Sequence, residues 1–563
     1  MVRRLVVFCA FAAMALGVGA ATGGAATAGD DVHLSPGNLL ISRSVYDNNA
    51  KNVVPGMVLP PNCVSGCGLA TADGSYPFVW NNDLADSSFG ITSKIFLDQV
   101  TPSGSLLGSI EVPNSSPTTL RKSLGDPSGN DSRGGDPGDA SASREQLVTS
   151  FPSKSELALN LSTSGDAVTF MGYLAPVDAI DVSNSNTPGV LDPTNPVSSA
   201  FYRVVAELDT RGRFHFTKTN AYSGNNGRAA ILNDDAHANV IYTVGNAGNG
   251  GNPQPDGVIV GAGAQILTPE LRPEFAQRPG APTPVASFNI TQLGDPADKI
   301  GKDTNFRGMT IFDHVLYYTK GSGGNGVNTV YFVDTTGKAC PNGAGLPQAG
   351  ASLPTSPLAY DPSQLQTNGL QPNNMCILKG FPTALKSKTF FPFGIWFANA
   401  TTLYVADEGN GDNTFAATGT YTKAAAQTTA GLQKWVFAAG TWTLAYTLQA
   451  GLNLGQAYTV AGYPTGTNPA TGLPWSPASD GLRNVTGRLN RDGTASIWAV
   501  TSTVSGNGDQ GADPNKVVAI TDDLHATTRP SSESFSTIEA ADFGEVLRGV
   551  SFTPGTETDE HHH

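Results

Sequence analysis

The sequence predicts an all-β fold, a six-bladed β-propeller whose last blade is closed by strands from both chain ends. Three observations carry this. First, one pattern recurs at intervals of 65 to 90 residues: Arg or Phe beside a small residue, an apolar strand, a tight break, and a second strand rich in Tyr, Trp and Val. Its copies open at Arg228, Arg307, Phe393, Arg483 and Arg548, and a looser one opens at Glu156. A strand-built repeat of this length is the mark of propeller blades. Second, the 563 residues include 65 Gly and 38 Pro with only 14% charged residues, so short β-branched and aromatic runs are punctuated by turns throughout. Third, the last copy, Leu547-Arg548-Gly549-Val550-Ser551, has no second strand after it, whereas the N-terminal strands lack an inner partner.

Taken in order, the chain opens with an address. Arg3 and Arg4 precede an apolar run from Leu5 to Val18, and small residues lead to Ala26-Thr27-Ala28. Residues 1–28 therefore read as a secretory signal peptide, with a membrane anchor as the alternative; the run is shorter than the roughly 20 residues of a span. Residues 29–555 read as the propeller domain and 556–563 as a disordered tail, whose final histidines are left out of site reasoning. Leu39–Tyr46 reads as the second strand of the closing blade, with Ile95–Val100 and Leu106–Val112 as its outer hairpin around Pro102-Ser103-Gly104. In the blade that opens at Glu156, the strands are Leu157–Leu159, Val168–Met171, Phe201–Val205 and Phe214–Phe216. In the third and fourth units, Val330–Val333 with Cys376–Leu378, and Leu432–Phe437 with Trp442–Tyr446, supply the outer strands. In the fifth they are Val517–Ile520 and Phe535–Ile538. A seventh blade would need an inner strand near Phe89-Gly90-Ile91, which has no second strand following it.

Four cysteines follow the leader, an even number suited to an oxidising compartment. Cys63 pairs with Cys67 and Cys340 with Cys376, each bracketing one loop; a metal site is the alternative, and no His lies within either bracket. The long connections, including Asp47–Lys94, Pro113–Ser155, Ala175–Ala200, Asp407–Gly431 and Gln449–Gly481, fall on the face where inner strands begin. Long loops gathered on one face of a rigid scaffold mark it as the functional face.

Glu156, Arg228, Arg307, Phe393, Arg483 and Arg548, with the adjacent Asn484, form a ring at that mouth. Arginine suits planar, bidentate recognition of carboxylate or phosphate, so the ring points to an anionic ligand; the competing reading is a set of structural bridges between blades. Asp407, Glu408 and Asn410 offer hard oxygen ligands on a Gly-rich loop at the same face, the chemistry Ca²⁺ requires. Asp83 with Asp86, and Asp126, Asp131, Asp136 and Asp139, are weaker groupings of the same kind, and ordinary turn residues are the alternative. No Gly-x-Ser-x-Gly elbow or zinc-binding helix is present. His237 and His314 fall in turns on the opposite face, away from any base role there. Net charge is −14, which disfavours nucleic acid, and no later segment is long enough to span a membrane. Sequons at Asn114, Asn130, Asn160, Asn289, Asn399 and Asn484 bear on glycosylation only in a eukaryotic source.

The stretch Phe391-Pro392-Phe393-Gly394-Ile395 followed by Leu403-Tyr404-Val405-Ala406-Asp407-Glu408-Gly409-Asn410 resembles an NHL repeat. That resemblance implies the superfamily of SMP-30/gluconolactonase and strictosidine-synthase-like propellers. In the SMP-30-type lactonases a divalent metal sits at the channel mouth, and Glu156 and Asn484 match two of its ligands, whereas Arg at most other inner-strand starts departs from the pattern. Secreted phytases are likewise acidic, but their Asp-Asp-Pro signature is missing. The Gly431–Trp435, Gly440–Leu448 and Leu547–Phe552 stretches are similar to a secreted bacterial propeller family without assigned activity, which implies fold and export alone. The expected function is a secreted, monomeric propeller that binds an anionic small molecule, glycan or protein partner at its mouth. The alternative is a divalent-metal-dependent hydrolase of a lactone, ester or phosphoester there.

Overall fold

A computed structural model of the chain describes residues 33–113, 146–191, 195–235, 238–247, 263–269, 305–321, 327–340, 343–356, 358, 375–384, 387–507 and 511–557. The expected leader, Asp126, Asp131, Asp136, Asp139, His237, and the sequons at Asn114, Asn130 and Asn289 lie outside the described residues.

The protein is all-β, a propeller-like ring of sheets. Among the described residues its strands form six main groups, and the first and sixth belong to one nine-stranded sheet. The first contains Asn160–Leu161, Ala167–Ala175, Arg203–Asp209 and Phe214–Thr219. The second has three strands among the described residues, Gly227–Asn233, Val240–Gly245 and Gln265–Leu267. The third runs Phe306–Phe312, Val315–Lys320, Thr329–Val333, Met375–Leu378. The fourth runs Pro392–Asn399, Thr402–Asp407, Gly431–Ala438, Thr441–Leu448. The fifth runs Ala478–Leu489, Thr494–Val504, Lys516–Asp523, Ser536–Ala540. The sixth takes Glu545–Phe552 from the end of the chain and pairs it with Leu39–Val45, followed by Thr92–Val100 and Leu106–Glu111.

The closing register pairs Leu39 with Phe552 and Ile41 with Val550, so both termini are locked in one sheet and no inner edge is left open there. Inner strands neighbour one another in sheet order, and the sixth returns to the first. Apolar clusters fill the gaps between neighbouring sheets, as Trp396, Tyr404, Ile497 and Val518 do between the fourth and fifth. The small residue after Arg or Phe in the repeat has a packing cause. A Cβ at Gly394 would lie 2.5 Å from the Arg483 carbonyl, because inner strands approach that closely at the mouth.

The sequence predicts a loop where one further strand lies: Gln146–Ser150 pairs with Thr92–Val100 on one side and Ala167–Ala175 on the other, joining the sixth and first strand groups. The first sheet's inner strand is only two residues long, because Leu157 turns through φ 62° just before it. Both expected disulfides, Cys63–Cys67 and Cys340–Cys376, are formed.

The connection between Leu39–Val45 and Thr92–Val100 is an ordered cap. It contains a 3₁₀ helix, Phe78–Leu84, and a small hairpin, Val58–Leu59 with Gly68–Leu69, closed by Cys63–Cys67. Trp80 stacks on Phe151 at 5.5 Å, Tyr76 meets Tyr463 hydroxyl to hydroxyl at 2.5 Å, and Phe78 packs edge-on against Trp475. The cap thereby leans on the connection between the fourth and fifth sheets. No helix among the described residues is long and apolar enough to cross a membrane.

Candidate functional site: a basic mouth

The inner strands bring Arg228, Arg307 and Arg483 to one end of the channel, and all three are buried. Glu408, also buried, lies among them, 3.8 Å from Arg307 Nη2 and 3.4 Å from Arg483 Nε. Burial alone pushes the Glu408 carboxyl up. Lys154, Arg307, Arg483 and Arg228 outweigh it and hold the group below its ordinary value, so it is an anion. Burial pulls Arg228 and Arg307 downward; like charge adds to this, from Arg307 on the first and from Arg483 on the second. The mouth thus sets the Glu408 anion among several cations, and the Glu156 carboxylate also acts on Arg228.

Each guanidinium is aimed by its own contacts. Arg228 donates from Nε to Asn226 Oδ1 at 3.0 Å and from Nη1 to the Phe306 carbonyl at 2.8 Å and to Asn305 Oδ1. Arg307 donates to Ser155 Oγ and lies 5.8 Å from the centre of the Phe393 ring, so Phe393 supports it through a cation–π contact. Arg548 has a different task. Its guanidinium donates to the Phe151 and Ser153 carbonyls and to Ser44 Oγ, tying segment 151–153 to the sixth sheet. Glu156 accepts from Thr149 Oγ1 at 2.7 Å, Ser150 N at 3.0 Å, Asn226 Nδ2 at 3.4 Å and the Tyr173 hydroxyl. Asn484 Oδ1 accepts from Val550 N at 2.6 Å. Of the expected ring, then, Arg228, Arg307 and Arg483 converge, Phe393 backs them, and Glu156, Asn484 and Arg548 hold strands and loops together.

The three expected metal ligands are drawn into separate networks. Asp407 accepts from Phe391 N at 3.0 Å, Gly409 N at 2.9 Å and Gln433 Nε2 at 3.3 Å, which fixes the loop start. Glu408 faces the arginines. Asn410 Oδ1 accepts from Asp412 N at 2.9 Å at an exposed turn. Among the described residues no group of three or more His, Cys, Asp or Glu is arranged to hold a metal ion. Asp407 and Asp480 are both buried, and that burial pushes each carboxyl up to about 7.

Beside the arginines lies a polar cavity of about 260 Å³. Lys154, Arg228 and Arg307 supply its charge, Ser150, Ser153 and Ser155 its hydroxyls, and Ser87 to Phe89 of the cap one wall. Sequence reasoning missed Lys154, although it stands two residues before Glu156 at an inner-strand start. It also missed Arg203, which is fully buried and donates to the Phe201, Ser185 and Asn225 carbonyls, holding together the connections that flank the cavity.

The fold and this mouth define a class, an all-β protein with a propeller-like ring and a basic polar cavity at one channel end. No protein-family model and no curated protein matches the chain. Among solved structures it is similar to a protein of unknown function from Dyadobacter fermentans DSM 18053, with 10% identity and a TM-score of 0.26 over 67% of this chain and 90% of that one. It is also similar to a chain in the S. cerevisiae assembly of Dbp5 with Nup159, Gle1, IP6 and ADP, with 10% identity and a TM-score of 0.23 over 71% of this chain and 90% of that one. Likeness at this level carries no argument, and the fold rests on the strand pairing above.

Proposed function

We propose that this protein is an exported binding protein that holds the anionic group of a small hydroxylated ligand, such as an acidic sugar, in the mouth cavity. The observation that carries the reading is the convergence of Lys154, Arg228 and Arg307 on one cavity of about 260 Å³, in a chain whose net charge is −14. A local cationic pocket in an acidic protein concentrates small anions while the rest of the surface repels polyanions. The serine and asparagine lining suits a ligand rich in hydroxyls. The reading is supported by the cations Lys154, Arg307, Arg483 and Arg228, which hold the neighbouring Glu408 carboxyl below its ordinary value. Export is supported by the N-terminal leader pattern and two disulfides.

The test is calorimetric titration of the full chain with inorganic phosphate and with glucuronate. Saturable binding is expected, weakened about tenfold by Lys154→Met and strengthened by Glu408→Gln, which removes the internal competitor. Absence of saturable binding to both probes, or an affinity that Lys154→Met leaves unchanged, overturns the reading.

A further inference from the structure

The opposite end of the channel carries a second site of different chemistry. We propose that it binds a small organic cation, an ammonium group on an apolar or aromatic body. On the face where paired strands turn, a cavity of about 850 Å³ lies beneath the third to sixth sheets. It joins a second cavity of about 300 Å³ at the channel axis, and the two share Phe312, Asp313, Trp396 and Gly487. The size matches a small molecule, and the mainly apolar wall with a few polar groups is what such ligands select.

The walls of the larger cavity are built by packing. Phe312 is half-buried and stacks one face on Phe397 at 4.5 Å, with the rings 9° apart, leaving its remainder to the cavity. Trp396 stacks on Tyr404, and its six-membered ring crosses β-strand residue Gly487, where a Cβ would fall 2.7 Å from the ring. Ala398 and Phe552 complete the apolar wall.

The charge is acidic. Asp313 lines both cavities and Asp235 lines the axial one; both are exposed, and among the described residues neither carboxylate has a hydrogen-bond or ion-pair partner. Glu557 adds a third carboxylate at the rim. Of the basic groups, Arg488 is held over the Trp498 ring at 5.5 Å, and His314 stands beside Asp313 in the turn. Asp313 and His314 both adopt positive φ, 46° and 58°, in the two-residue turn between Phe306–Phe312 and Val315–Lys320. That turn geometry favours Asn or Gly, and Asp is tolerated there. An apolar wall beside unpaired carboxylates selects a cation with an apolar body and rejects an anion.

The experiment is ligand-detected NMR titration of the full chain with three probes of similar size: benzyltrimethylammonium, benzyl alcohol and benzenesulfonate. The cation is expected to bind about tenfold more tightly than the alcohol, and the sulfonate not measurably. Asp313→Asn keeps a residue suited to positive φ and is expected to bring the cation down to the alcohol's affinity. Ala400→Trp, a substitution at an exposed turn lining the cavity, is expected to displace all the probes. No saturable binding by the cation, equal binding of cation and sulfonate, or unchanged cation affinity in Asp313→Asn overturns the proposal. Lys154→Met at the mouth is expected to leave these titrations unchanged, so the two sites fail or stand separately.

Discussion

Replacing Lys434 with methionine tests the interface between the fourth and fifth sheets. Lys434 and Asp522 are both fully buried, and Nζ lies 2.9 Å from Oδ2. The ammonium also donates to the Asp523 carbonyl at 2.6 Å, the Ala526 carbonyl at 3.1 Å and the Tyr446 hydroxyl at 2.9 Å. Asp522 accepts from the Tyr446 hydroxyl at 2.7 Å and from Tyr404. At this separation the Coulomb attraction is about 6 kcal/mol with an effective dielectric of about 20. Water entering around the stranded carboxylate returns part of that, and the net cost of breaking a buried pair is about 3–5 kcal/mol. Methionine fills most of the lysine stem's volume, so little of the loss comes from packing. Urea unfolding followed by tryptophan fluorescence reads the change, with Trp435 next in sequence as a local reporter. The double variant Lys434→Met/Asp522→Asn removes the stranded charge and is expected to recover about 1–3 kcal/mol of the single variant's loss. A loss below about 1 kcal/mol in the single variant, or a double variant costing the sum of its parts, would show that the pair is solvated and refute the reasoning.

Three further outcomes follow from the same geometry. Asp407 and Asp480 ionise near pH 7 in the fold and near their ordinary value of 3.8 when unfolded, so their contribution to stability is greatest below about pH 4 and is lost as the pH rises to about 7. Asp480→Asn is expected to flatten the slope of unfolding free energy between pH 4 and 7 by up to about 1.4 kcal/mol per pH unit, and an unchanged slope contradicts the assignment. Gly394→Ala places a Cβ against the Arg483 carbonyl and is expected to cost about 1–3 kcal/mol in urea unfolding; a neutral result means the inner strands can part. Cys340→Ser opens a loop with a sequence separation of 36 and is expected to lower stability by about 3–4 kcal/mol, unless reduction of the wild type, measured alongside, has no effect.

The ring closure was legible because its signal is local. Leu39–Tyr46 is a short apolar-rich run that reads as a strand, and the last copy of the repeat stops after one strand, so each end lacks what the other supplies. The Arg-plus-small-residue start was legible as a pattern, and the approach of Gly394 to the Arg483 carbonyl gives its cause. What sequence could not show is where side chains go once six strand starts converge. Glu408 stands next to Asp407 in a Gly-rich acidic turn and reads as a pair of oxygen ligands. The fold sends one carboxylate to its own loop's amides and the other to arginines from the third and fifth sheets. Gln146–Ser150 was hidden for a related reason. It follows a stretch rich in Gly, Ser and Asp, and its strand character comes from the neighbours on either side.

The two ends of the channel also explain one another. The axial cavity at the acidic end mixes apolar walls, Leu159, Ile231, Ile311, Ile395 and Val485, with polar ones, Asn160, Ser162, Thr163, Thr310 and Thr486. The Lys154, Arg228 and Arg307 cluster lines one cavity and Asp235 and Asp313 line another, and the two share no lining residue. Opposite signs in two cavities that share no lining residue suit two independent recognition surfaces on one rigid scaffold.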